Sequence, residues 1–347
     1  MELALAGERV SGYMLEDHTG NWGLDLNQWD WVPGVGVIAL LEYGRSTRQE
    51  KLRAELHRWV KRNGSKAGSA RVINAMAPFA VYPELYRETR EASLREAVIR
   101  TADWMIGEAP RTREGAFEHT VTENVSFPEQ VWADTVFMAV LFLARAARLT
   151  ASEGYAREAA AQVELHLRLL QDEATGVLFH GWNSGEGSHM SAARWTRANA
   201  WIAAAVPMIQ EELAGLASLT DESLARYRRL MGALAGYQQA GGLWATVLDR
   251  PDFYEETSGS AGIACGMLLG IRAGLLGPEL RPAADRALSA VLDCVTENGE
   301  VQGVSGGTPV LDSVEAYGRI PCHPTLYGQG LVLMLLAAVE AAERQDG

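Results

Sequence analysis

The chain has 347 residues, 48% hydrophobic and 22% charged, which are the proportions of a globular protein with one large core or two ordinary ones. Thirty-one lysines and arginines face 44 aspartates and glutamates, for a formal net charge of −13 and a pI near 5.1. That balance removes the electrostatic case for nucleic acid or an anionic membrane, and any anionic ligand must be drawn by local cations.

Residues 1–28 are polar and glycine-containing, with room for at most one short helix. Met1–Glu8 has neither a basic stretch nor a long apolar run, which argues against a standard secretion signal. No apolar run approaches the ~20 residues of a membrane span. Gly34-Val35-Gly36-Val37-Ile38-Ala39 resembles a dinucleotide fingerprint, but Trp29-Asp30-Trp31-Val32-Pro33 precedes it instead of an apolar strand. Those glycines are read as permitting close helix packing.

Long helical patterns follow at about 34–45, 48–62, 72–88, 92–109, 128–149, 153–172, 192–213, 221–240, 254–274, 280–297 and 323–343. Alternate helices end in a glycine turn and an apolar extended piece, with turn glycines at 115, 176, 242 and 299 and a candidate first member at Gly64. Only glycine accepts positive φ freely, so it suits each helix end. A unit of roughly 60 residues holding two helices is a helical hairpin array. One set of helices (128–149, 192–213, 254–274, 323–343) is apolar nearly all round, and the other carries Arg, Glu and Gln along one face. The first is an inner ring and the second an outer one. The expected fold is all-α: an α/α toroid of six hairpins over 29–347, with 1–28 packing on it and supplying the twelfth helix. An open solenoid competes, but would not need helices buried on every side.

Asp134 shares a helical stripe with Met138 and Leu141 in Val131-Trp132-Ala133-Asp134-Thr135-Val136-Phe137-Met138, which reads as the opening of a helix. A carboxylate on such a stripe is either bonded to backbone amides at the helix end or held in a polar cavity. Asn74, Trp195, Arg197, Asn199, Trp201, Glu255, Glu256, Tyr327 and Gln329 gather at corresponding inner-helix starts. Rings beside polar groups suit sugars, although each Trp alone could fill core and each Arg could pair with an acid. His180 lies on such a loop beside Phe179 and Trp182; His119, in Phe117-Glu118-His119, is a weaker candidate. The histidines lack metal-ligand spacing, and neither a nucleophile elbow nor a P-loop is present. Cys265, Cys294 and Cys322 are odd in number and unpatterned, so they read as reduced core thiols of a cytoplasmic protein.

From about Trp29 to the last helix the chain resembles the unsaturated glucuronyl and rhamnogalacturonyl hydrolases, glycoside hydrolase families 88 and 105, and family 105 more closely. The resemblance is carried by Trp132–Met138, Phe179-His180-Gly181-Trp182, Ala193–Trp201, Glu256-Thr257-Ser258 and Tyr327-Gly328-Gln329-Gly330. It implies a six-hairpin barrel with Asp134 as the catalytic acid. His180, Trp195, Arg197 and Trp201 match substrate-pocket positions, and Asn74, Trp31 and Tyr327 are counted with them as substrate-binding. Asn74 stands where some relatives carry a second aspartate, which argues against a two-carboxylate glycosidase.

The implied substrate is an oligosaccharide ending in a 4,5-unsaturated uronic acid, with no metal or cofactor. Protonation at C4 of its vinyl ether, then water at C5, would let one carboxyl of raised pKa act as acid and then base. Arg197 is expected to hold the uronate carboxylate, bidentately if geometry allows. A monomer or weak homo-oligomer is expected. A sugar epimerase or other glycosidase on the same toroid is the alternative enzyme, but needs a histidine pair where only His180 is well placed. A non-catalytic carbohydrate-binding protein is the alternative outside enzymes, and gives no reason for Asp134.

Overall fold

The structure, a computed structural model, describes residues 2–69, 71–123 and 126–346. Its helices are α1 (Glu2–Met14), α2 (Trp31–Thr47), α3 (Glu50–Asn63), α4 (Tyr82–Thr89), α5 (Ala92–Gly107), α6 (Leu141–Thr150), α7 (Glu153–Leu170) and α8 (Thr196–Leu213). They continue with α9 (Asp221–Tyr237), α10 (Thr257–Arg272), α11 (Arg281–Asp293), α12 (Val314–Tyr317) and α13 (Leu326–Asp346). Strands β1 (Gln130–Trp132) and β2 (Gly181–Asn183) form one antiparallel pair, with Val131 opposite Trp182.

An inner ring runs α2, the 3₁₀ segment Asn74–Val81 with α4, α6, α8, α10 and α13, and α13 closes it by packing on α2. Among the described residues, α1, α3, α5, α7, α9 and α11 supply the outer members of six hairpins. This is the six-hairpin toroid expected from the two helix classes. α1 is longer than the short helix allowed for it, and it packs on α13 and α2. The ring is held by nearly continuous apolar burial: in α8 and α10 both faces are covered, down to Ile202, Val206, Ile263 and Met267 at 0% exposure. Ala and Gly let these helices approach; a Cβ at Gly266 would come 2.4 Å from the Ala203 carbonyl oxygen. Gly34 likewise sits against Ala77 and Pro78, inside α2.

The turn glycines at 115, 176, 242 and 299 all have φ between 87° and 100°, the region that L side chains avoid. Gly64 does not belong to the series: its φ is −58°, an ordinary right-handed value. Two expected helices are interrupted. The stretch 72–88 is 3₁₀ before α4, since Pro78 and Pro83 each remove an N–H donor. In 128–149 the first residues are β1, and Val131 and Trp132 pair with β2 before any helix begins. Asp134 therefore opens the helix at the end of a strand, followed by a π-helical turn over Val136–Val140.

Leu326–Arg344 has the length and hydropathy of a membrane span, contrary to the expectation that no stretch would, but 78% of it is buried within the ring. The cysteines are all free; Cys265 is buried, Cys294 half-buried and Cys322 exposed, so only the first is a core thiol.

Candidate active site

A cavity of about 300 Å³ opens where the inner helices begin. Its deep wall is Asn74, His119, Trp132, Asp134, Trp195 and Arg197, all 9% exposed or less. The outer wall is Trp22, Trp31, Phe127 and the loop Gly307–Pro309. A second cavity of about 620 Å³ lies at the opposite end of the ring, among paired charges of Glu42, Arg145 and Glu212.

The β1–β2 pairing sets the floor. It places His180, which precedes β2, beside Asp134, which follows β1. His180 Nε2 stands 3.4 Å from Asp134 Oδ2, within ion-pair reach but off hydrogen-bond geometry, and neither atom has a hydrogen-bond partner among the described residues. On its other side His180 Nδ1 lies 2.7 Å from the Tyr317 hydroxyl. That oxygen also accepts the Leu311 N–H at 3.1 Å. In the Nε2–H tautomer Tyr317 donates to Nδ1, and the Nε2 hydrogen lies on the Asp134 side of the ring. Trp195 packs on the imidazole, with ring centroids 4.4 Å apart.

Burial, the largest influence, pushes the Asp134 carboxyl up, but His180, then His119 and Arg197, outweigh it and leave the group below its ordinary value. The expectation of a raised pKa fails in the free protein because three basic side chains surround one acid. His119 was ranked below His180, yet it forms the cavity wall and stacks on Trp132 at 4.3 Å. Its Nδ1 is 2.9 Å from Thr135 Oγ1, and burial lowers it to about 4, so it is neutral at pH 7. The site thus holds two histidines near Asp134, one more than the sequence reading placed there.

Asn74 presents Oδ1 beside these groups without a hydrogen-bond partner among the described residues. Arg197 reaches the cavity with its fork largely occupied: Nη1 donates to the Ser305 carbonyl at 2.9 Å and to Ser305 Oγ at 2.5 Å, and Nη2 to the Gly306 carbonyl at 2.8 Å. It is also 3.5 Å from buried Glu256 and lies between the rings of Trp195 and Tyr327. An end-on bidentate grip on a substrate carboxylate is therefore excluded, because the protein already fills that end. Tyr327 lies behind the wall, stacked on Trp31 at 5.1 Å and bonded to the Ser305 carbonyl. Trp201 is buried against Phe137 in the barrel core and not on the cavity wall, because one helical turn carries it inward from Arg197.

Sequence reading did not single out Tyr317, Trp22 or the Ser305–Pro309 loop. Tyr317 and the loop lie in a stretch without periodicity. Trp22 offered one signal, a lone large ring in the polar stretch Gly20-Asn21-Trp22-Gly23.

The sequence profile of Glycosyl Hydrolase Family 88 matches residues 7–343. The unsaturated rhamnogalacturonyl hydrolase YesR of Bacillus subtilis (strain 168) is 34% identical over 317 residues, covering 90% of this chain and 89% of that protein. A crystal structure of a possible GH105 member from Salmonella enterica superposes with a TM-score of 0.92 at 28% identity, covering 98% of this chain and 94% of the other. The unsaturated glucuronyl hydrolase of Bacillus sp. GL1 shares the fold, with a TM-score of 0.71 at 19% identity over 98% of this chain and 95% of its own.

Proposed function

The chain belongs to Glycosyl Hydrolase Family 88, and from that premise we propose that it removes a 4,5-unsaturated uronic acid from the non-reducing end of lyase-generated oligosaccharides, of rhamnogalacturonan type or a related one. The observation that carries the proposal is a single deep carboxylate, Asp134, facing His180 with Asn74 beside it. The other carboxylate on the cavity wall, Glu123, is exposed at the rim. A displacement needing two flanking acids has no second one on the deep cavity wall among the described residues; hydration of a vinyl ether needs only one.

The lowered proton affinity of Asp134 has a physical remedy in the substrate. A uronate carboxylate entering the cavity brings a like charge close to Asp134 and favours its protonated form. The acid then delivers its proton to C4, leaving a cation shared by C5 and the ring oxygen. Water adds at C5 and gives its proton to the Asp134 carboxylate, restoring the acid. The hemiketal opens to a ketone at C5, and the hemiacetal left at C1 collapses to release the second sugar as an alcohol. His180, held by Tyr317, steadies the carboxylate form between the two transfers. Arg197 contributes its charge and its Nε edge to the uronate, while its remaining donors fix the Ser305–Pro309 loop. Free thiols at all three cysteines support a cytoplasmic setting.

The test is the ultraviolet absorbance of the conjugated double bond after adding pectic, alginate and glycosaminoglycan lyase products. Its decay with matching release of the second sugar is expected. No decay with any of them overturns the reading. The two histidines near Asp134 also suit an epimerase, for which solvent hydrogen would enter a saturated sugar instead.

A further inference from the structure

We propose that Trp22 is the platform on which the second, released sugar rests, and that Glu123 at the same rim makes that sugar an uncharged one. This rests on the hydrolase reading above. The non-reducing uronate must reach Asp134 at the floor, so the sugar linked to it projects towards the rim. Exposure rises along that path, from 5% at Asn74 and 9% at Asp134 to 51% at Trp22.

An indole half in water leaves apolar area uncovered that a ligand could bury. Trp22 is also held in place. It meets Trp31 in a T-shaped contact at 6.1 Å and 68°, and Trp31 is itself backed by Tyr327. The Cη2 edge of its ring lies against Gly307, where a Cβ would come 2.5 Å from it. A ring held by one edge and one neighbouring ring, and half exposed, keeps a face for stacking on the apolar face of a sugar. Glu123 has no ion-pair partner among the described residues, and the cavity wall carries no exposed lysine or arginine to offset it. A sulfate or carboxylate on the second sugar would meet that charge uncompensated.

The test compares wild type with Trp22→Ala, Trp22→Phe and Glu123→Gln on three substrates sharing one unsaturated uronate: its methyl glycoside, a disaccharide with a neutral second sugar, and one with a sulfated second sugar. The ratio of kcat/KM for the neutral disaccharide to that for the methyl glycoside should fall roughly tenfold in Trp22→Ala, through KM, and less in Trp22→Phe. Glu123→Gln should raise the sulfated-to-neutral ratio about fivefold. An unchanged first ratio in a folded Trp22→Ala protein overturns the platform, and an unchanged second ratio overturns the charge filter. Failure of the wild type to consume any of the three overturns the hydrolase reading, and the proposal with it.

Discussion

The same inner helices end in two cavities, and the two are furnished in opposite ways. Where the helices begin, aromatic rings enclose polar atoms that lack a hydrogen-bond partner among the described residues: Asn74 Oδ1, Asp134 Oδ2, His180 Nε2 and Trp195 Nε1. Where they end, charges meet charges. Arg145 bonds the Ala80 carbonyl at 2.9 Å and Glu42 at 2.5 Å, approaches Glu212 at 3.6 Å, and Arg148 reaches Glu212 at 2.9 Å. Burial pushes Glu42 up, but Arg145 and Arg45 hold it below its ordinary value. The second cavity is the larger, yet its charges are spent on one another. Volume does not locate chemistry here, nor does a missing hydrogen bond alone, since Arg145 Nε and Glu212 Oε2 also lack one among the described residues; at the mouth the open atoms face a cavity walled by aromatic rings.

The largest effect that could break this contrast is at Asp134. Asp134→Asn keeps shape but transfers no proton, so kcat should fall roughly 10²–10⁴-fold with thermal stability largely kept. Normal turnover by the folded variant would refute the one-acid scheme. At the other end Arg145→Ala should do the reverse. Removing one partner from a buried ion pair costs about 3–5 kcal/mol, read by denaturant unfolding, with kcat per folded molecule unchanged. Arg197→Ala sharpens the comparison, since it strands Glu256 and frees the rim loop. It should raise KM and lower stability together.

Acid should weaken the ring through buried imidazoles. His166, on outer helix α7, is fully buried and held by burial at about 4, as His119 is at the mouth. A depressed histidine stays neutral when folded while the unfolded chain takes a proton near 6.5. The stability it supports is therefore present above that pH and lost as pH falls towards 4. Each contributes on the order of 3 kcal/mol when the loss is complete. His166→Leu should remove about half of that acid sensitivity in urea titrations at pH 7 and pH 4.5.

The smallest effect is expected at Tyr317. Tyr317→Phe removes the proton that fixes His180, at about 1 kcal/mol, or roughly fivefold in kcat. Nitrogen chemical shifts of His180 should then show the Nδ1–H tautomer appearing, which a merely structural tyrosine would not cause.

The fold was readable because its signals are local. Positive φ demands glycine at 115, 176, 242 and 299, and an all-apolar helix has nowhere to go but inside. β1 escaped notice because three residues are too few for a period, and its pairing partner lies fifty residues on. Asp134 was legible through the motif around it, but its low proton affinity depends on His119, His180 and Arg197, which only the fold brings together. The occupied fork of Arg197 is hidden from the sequence for the same reason: its acceptors at Ser305 and Gly306 lie more than a hundred residues downstream. Tyr317 sits on a four-residue helix without periodic neighbours.

Closure of the ring by α13 on α2 has a consequence for how the protein is made. While a nascent chain ends at α11, Asp134 and His180 have been synthesised, but Trp31 has no Tyr327 behind it and Arg197 lacks Ser305 and Gly306. The facing sides of α2 and α10, which α13 will cover, are bare to the cell. Contacts this distant in sequence form late, and exposed apolar helices aggregate while they wait. The enzyme therefore completes its substrate pocket and covers these apolar faces in one event, when α13 leaves the ribosome and docks.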